Sequence, residues 1–114
     1  MTMVYAGTDD EVIALSDFDP TVVLYEPPAL IGAAGGAPRP WIRAIDERMR
    51  DLAPGVLMMH AGGVGTPDDV YDIMRAGAAG TGSTSGVLRD PSPESAVERF
   101  IAAARRGYDA GRLG

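Results

Sequence analysis

The sequence predicts an α/β fold, in which four strand–helix units in series build one parallel sheet with right-handed crossovers and helices on its faces. Three observations carry this expectation. Short apolar runs alternate with stretches whose apolar residues recur at helical spacing. The joints between them are short and rich in Gly and Pro, and the helices open on residues suited to capping. Four strands are too few to close a barrel alone, since the common closed form needs eight.

Thr2-Met3-Val4-Tyr5-Ala6 reads as a short buried strand ended by Gly7. Thr8 and Glu11 have capping-box spacing, and Asp9 and Asp10 suit the positive end of a helix that runs to Leu15 and stops before Asp19-Pro20. Thr21-Val22-Val23-Leu24-Tyr25 is the strongest strand in the chain, being β-branched and apolar throughout. A long loop follows from Glu26 to Pro40, mixing stiff prolines with permissive glycines, the composition of a hinged lid or of a flexible loop. Pro40 suits a helix's first turn, and Ile42, Ile45, Met49 and Leu52 then form an inward stripe. Pro54-Gly55 breaks the chain before a third strand, Val56-Leu57-Met58-Met59-His60. Thr66 caps the next helix with Pro67 at its first position, Val70, Ile73 and Met74 face inward, and Gly77 ends it. Ala78-Ala79-Gly80-Thr81-Gly82-Ser83 falls where a fourth strand belongs, although its strand propensity is poor. Ser92-Pro93 begins a last helix with Val97, Phe100, Ile101 and Ala104 inward; Gly107 closes it, Arg105-Arg106 complement its C-terminal dipole, and the tail to Gly114 frays.

Composition narrows the chemistry. With 114 residues, one domain over 1–114 is expected. All 10 basic residues are Arg, and the chain has no Lys, Asn, Gln or Cys. That excludes Schiff-base lysines, a Walker-type phosphate lysine, disulfides, zinc–thiolate sites and cysteine nucleophiles. A net charge of −6 lacks the positive field that nonspecific nucleic-acid binding needs. No apolar run approaches a membrane span and no leader opens the chain, so a cytoplasmic protein is expected. No metal or cofactor is expected either: His60 is the single histidine, and no cluster around it has ligand spacing.

The candidate functional residues all follow strand C-termini, the edge at which parallel α/β sheets bind ligands. Gly80-Thr81-Gly82-Ser83-Thr84-Ser85 falls one residue short of a dinucleotide fingerprint and lies far from the first strand, so that reading fails. Gly82-Ser83-Thr84-Ser85-Gly86 has Thr84 where a nucleophile elbow needs its serine. The turns Ala61-Gly62-Gly63 and Thr84-Ser85-Gly86 follow consecutive strands, so their amides can converge on one phosphate without any lysine; equally, they are tight turns that use Gly for its backbone freedom. Glu26 ends an apolar strand just before Pro27-Pro28. There it is either a base that loses solvation beneath a closing loop or a solvated strand-end carboxylate. His60 also ends a strand, and a lone histidine there is a structural hydrogen-bonding group more often than a catalyst. Trp41 and Phe100 are expected to anchor helices against the sheet.

Three segments carry a family resemblance. Tyr25-Glu26-Pro27-Pro28-Ala29-Leu30-Ile31-Gly32 resembles the catalytic-glutamate and lid segment of triosephosphate isomerase, particularly its archaeal type. His60-Ala61-Gly62-Gly63-Val64-Gly65-Thr66-Pro67-Asp68-Asp69-Val70 is similar to that family's seventh-strand phosphate loop, and Ala76-Gly77-Ala78-Ala79-Gly80-Thr81-Gly82-Ser83-Thr84-Ser85-Gly86-Val87 to its eighth strand and turn. The resemblance covers nearly the whole chain but only strands five to eight of the family's barrel. It implies a (βα)4 half of a TIM barrel, completed to eight strands by a second copy or by a separate chain carrying the N-terminal half. It makes Glu26 the proton-abstracting base, Pro27 to Gly36 the lid, and Gly32, Gly62, Gly63, Thr84 and Ser85 the phosphate-binding set. The implied reaction interconverts dihydroxyacetone phosphate and glyceraldehyde 3-phosphate; the other reading is a catalytically incomplete half barrel that binds a phosphorylated ligand or a phosphate or sulfate ion. The family's substrate-binding Asn and Lys and its electrophilic His lie in the half that this sequence lacks. The lid also departs from the family pattern, with Gly32-Ala33-Ala34-Gly35 in place of the usual Thr-Gly.

Overall fold

The β-branched run after Pro20 forms the middle strand of a three-stranded parallel sheet. In the computed structural model, which describes residues 1–33 and 35–113, β1 (Met3–Ala6), β2 (Val22–Tyr25) and β3 (Leu57–His60) lie in the order β1-β2-β3. The register places Met3, Val22 and Leu57 in one row and Ala6, Tyr25 and His60 in another. Side chains therefore alternate between two faces. Ala6, Val23, Tyr25, Met58 and His60 are buried beneath helices. Met3, Tyr5 and Leu57 point the other way and remain 57%, 52% and 52% exposed, so the second face is uncovered.

The expected fourth strand is reduced to a single bridge, Met59 to Gly80, supported by the Ala79 amide on the Met58 carbonyl (2.8 Å) and the His60 amide on the Gly80 carbonyl (3.1 Å). Beyond it, Gly82 and Ser83 supply neither branched side chains nor a full ladder. A Cβ on Gly80 would lie 3.1 Å from the Met59 side chain, a tight approach that the methionine would have to yield to.

Helix α1 (Asp9–Leu15) opens as its sequence predicts, with Thr8 accepting from the Glu11 amide at 3.1 Å. The Tyr25 hydroxyl donates to Asp9 and ties α1 to β2; burial and that carboxylate push the phenol well above its ordinary pKa. Helix α2 spans Ile42–Leu52, starting two residues after Pro40, with Trp41 as its cap. Ile42, Ile45 and Met49 are buried, whereas Leu52, expected inward, is 46% exposed at the helix end. Trp41 packs against both apolar clusters, one under β1 and β2 and one between α2, α3 and α5. Helix α3 is Pro67–Arg75, and a four-residue α4, Ser85–Leu88, follows the bridge where no helix was expected.

Helix α5, Pro93–Leu113, corrects the sequence reading most. Gly107 does not close it but lies buried inside it, and Arg105 and Arg106 are mid-helix rather than terminal. Val97 and Ile101 face outward, while Ala96, Ala103 and Gly107 are the buried residues. The physical reason is close backbone approach: a Cβ on Gly107 would collide with the Tyr71 carbonyl oxygen, and one on Gly111 would lie 2.7 Å from that of Arg75. The helix–helix seam thus follows the smallest residues, not the most apolar ones. Phe100 packs into this α3–α5 cluster rather than against the sheet.

His60 is 1% exposed, and its Nε2 lies 2.7 Å from Oδ1 of Asp46, itself 8% exposed on α2. This buried pair pins α2 to β3. Among the described residues no group of three or more His, Cys, Asp or Glu side chains is arranged to hold a metal ion. No helix among them is long and apolar enough to cross a membrane.

Candidate functional site

A cleft of about 340 Å³ opens at the C-terminal edge of the sheet. Its lining includes Glu26 from the end of β2, Gly32 from the loop above it, Gly62 and Gly63 from the turn after β3, and Thr84 and Ser85 from the start of α4. The six sequence-predicted site residues are therefore brought together. His60 and Asp46 are absent from that lining.

The loop after β2 folds over the Gly62-Gly63 turn. Pro27-Pro28 sets up a single 3-10 turn, Pro28–Leu30, closed by the Leu30 amide on the Pro27 carbonyl at 2.9 Å. Gly62 (φ +88°) has Glu26 and Leu30 carbons 3.6 Å from the position of a missing Cβ, and at Gly63 (φ +66°) that position is 2.6 Å from the Leu30 carbonyl oxygen. Any side chain at Gly63 would lift the loop from the turn. Within the Pro27 to Gly36 segment read as a lid, Ala34 lies outside the described residues.

Among the lining residues, the amides of Gly32, Gly62, Gly63, Val64, Gly82, Ser83 and Thr84 have no hydrogen-bond partner among the described residues. Ser85 is the first residue of α4, so its amide has no preceding helical carbonyl to bond. Unpaired amides from two consecutive turns and the start of a short extra helix are the usual makings of an anion site on barrels of parallel strands. Ser83 steadies the second turn by donating to the Val64 carbonyl at 2.6 Å.

Two residues that the sequence reading did not single out hold the arrangement together. Asp69, 5% exposed, accepts from the Gly36 amide on Oδ1 (2.8 Å) and from the Gly65 and Thr66 amides on Oδ2 (2.9 and 3.0 Å). It joins the far stem of the loop to the turn that starts α3. Its spacing from Thr66 completes a capping box, the signal that was available. Arg39 donates to the Ala61 and Gly62 carbonyls at 3.3 and 2.6 Å, and Pro38-Arg39-Pro40 carries no spacing signal for this. Burial draws the Arg39 guanidinium below its ordinary pKa, and the Asp69 carboxylate opposes that.

Burial would raise the Asp69 carboxyl, but the amides of Gly65, Gly36 and Thr66 outweigh it and hold the pKa below the carboxylate's ordinary value. A carboxylate depressed in the folded state stabilises the fold above its unfolded pKa and loses that contribution as pH falls through the folded one. Asp69→Asn is therefore expected to cost about 2 kcal/mol near neutrality, since an amide nitrogen must then face backbone donors. Urea denaturation at a series of pH values checks it: the gap between the two proteins should be flat above about pH 5 and close on further acidification.

No family model matches the chain. The triosephosphate isomerase of Saccharolobus solfataricus is 35% identical over 99 residues, covering 83% of this chain and 43% of that relative. The Sulfurisphaera tokodaii enzyme of the same name is 33% identical over 112 residues, covering 95% of this chain and 48% of the relative. The chain matches part of triosephosphate isomerase. It spans about half the length of the curated relatives it matches. A chain of the crystal structure of the Amycolatopsis orientalis BexX/CysO complex superposes with a TM-score of 0.80 over 98% of this chain and 43% of that one, at 20% identity, a likeness of fold alone. The parallel sheet with its helices is compatible with part of the triosephosphate isomerase barrel.

Proposed function

We propose that this chain forms the glutamate- and phosphate-binding part of a triosephosphate isomerase site. The observation that carries the reading is the single cleft in which a half-buried Glu26 faces glycine-rich turns with free amides. Glu26 removes a proton from the carbon bearing the hydroxyl of dihydroxyacetone phosphate; its return to the neighbouring carbon, with the hydroxyl proton passed from the first oxygen to the former carbonyl oxygen, yields glyceraldehyde 3-phosphate. The amides of Gly32, Gly62, Gly63, Thr84 and Ser85 hold the phosphate as a fixed handle, so that binding energy remote from the reacting carbons positions them under the base. Developing charge on the enediolate needs an electrophile. The chain has no Lys and no Asn, and its one His is buried against Asp46 outside the cleft, so a second half must supply it.

The second half covers the uncovered face of the sheet. Besides Met3, Tyr5 and Leu57, a groove of about 210 Å³ beside the Gly80 bridge is lined by Val70, Val87, Val97, Phe100 and Ile101, an apolar seam of the kind a neighbouring strand–helix unit fills. A second copy, with its β1 beside the Gly80 segment, is the simplest occupant of the edge. It brings no Lys or Asn and the same buried His60, so a homodimer fits only the reading without turnover. A separate chain carrying the other half is the occupant that could supply the electrophile. The isolated chain's want of an electrophile favours a second functional reading, a phosphate-ligand-binding module without turnover.

Sedimentation of the purified chain should give a self-associated species. A well-behaved compact monomer overturns the pairing of copies. Titration with a phosphorylated hydroxamate that mimics the enediolate should saturate the cleft, and a coupled isomerase assay on the same sample separates the two readings. Binding with turnover supports the isomerase, binding without turnover supports the module, and no binding overturns both.

A further inference from the structure

A trans peptide points its carbonyl and the following amide in opposite directions, and the chain has no cis peptide among the described residues. Arg39 takes two consecutive carbonyls, those of Ala61 and Gly62, on one guanidinium. The amides of the same two peptide groups, on Gly62 and Gly63, must then point away from it. Arg39 is not part of the cleft lining, whereas Gly62 and Gly63 are. Both glycines have positive φ, which leaves this turn with several backbone alternatives unless something outside it selects one.

We infer that Arg39 is a positioning residue for the anion site: it fixes two successive peptide planes so that the Gly62 and Gly63 amides face the cleft as a pair, without touching the anion itself. The inference rests on the phosphate-binding reading of the cleft and deepens it. The residue suits the task. A guanidinium is a planar fork that spans two acceptors, while an ammonium is a point donor that holds one. Arg39 lies between two prolines whose fixed φ stiffens its backbone, and Asp69 ties Gly36 in the same stem to the Gly65-Thr66 turn. The far stem of the loop and the anion cradle therefore form one braced unit.

The test is an amide-resolved NMR titration of the full chain with inorganic phosphate, comparing wild type, Arg39→Met and Arg39→Lys. In wild type, the Gly62, Gly63, Thr84 and Ser85 resonances should respond together. In Arg39→Met, the Gly62 and Gly63 responses should collapse while those of Thr84 and Ser85 persist, with the apparent Kd raised about tenfold. Arg39→Lys keeps the charge and should recover less than half of that loss. A Kd within twofold in Arg39→Met, a collapse of all four responses together, or full rescue by Lys overturns the inference, the last because it assigns the effect to charge. If none of the four resonances responds in wild type, the phosphate-binding reading itself falls.

Discussion

Glu26→Gln is expected to lower the turnover of the assembled barrel about 10³-fold while leaving phosphate affinity within a few-fold of wild type. Positioned general bases contribute roughly 10² to 10⁴ in rate, and the amide is nearly isosteric but cannot accept the proton. The split follows from the cleft's layout. Glu26 stands at the end of β2, and the amides of the Gly62-Gly63 turn and of Thr84 and Ser85 belong to other segments. Removing the base thus leaves the handle that binds the ligand. Steady-state kinetics in the assembly that closes the barrel, with direct titration of a phosphorylated inhibitor, would check it. Activity within tenfold of wild type would remove Glu26 from the role of base.

The largest stability effect is expected at Gly107, and its sign opposes helix propensity. Alanine is the better helix former by about 1 kcal/mol. Yet Gly107→Ala should destabilise the chain by about 2 kcal/mol net. The added methyl meets the Tyr71 carbonyl oxygen and lies 3.0 Å from the Met74 Cβ, both on α3, so α5 must move away from its seam. A urea denaturation midpoint lowered at unchanged slope is the expected result. A raised midpoint would show that the seam has slack and that propensity governs the position.

The order of the elements was legible because each carries a local signal. Thr8 and Thr66 announce helix starts, Pro54-Gly55 a break, and the Val22–Tyr25 run a central strand. What the chain order hides is long-range contact. Val97 and Ile101 look like core residues by their apolarity, yet the face that α5 buries is chosen by the small residues that admit the α3 backbone. Ala78 to Ser83 occupies a strand's place without a strand's side chains, and one bridge is the outcome. At the cleft, Glu26 and the glycine turns were visible because residue types at strand ends speak for themselves. Arg39 was not, since a guanidinium bonding carbonyls 22 and 23 residues away leaves no trace in local spacing. Asp46 escaped for the same reason, lying 14 residues from His60 on another element.

The sheet ends in two unlike edges, β1 on one side and the short Gly80 segment on the other. If copies pair through these edges as proposed, each molecule is a link with a plug at one end and a socket at the other. Unlike ends that mate give a closed ring only when the rotation per link divides a full turn, and otherwise they give an open filament. In such a pairing the angle subtended by the strands decides between the two outcomes. In that pairing, a substitution that flattens the sheet without loosening any contact is expected to turn a finite assembly into a growing one.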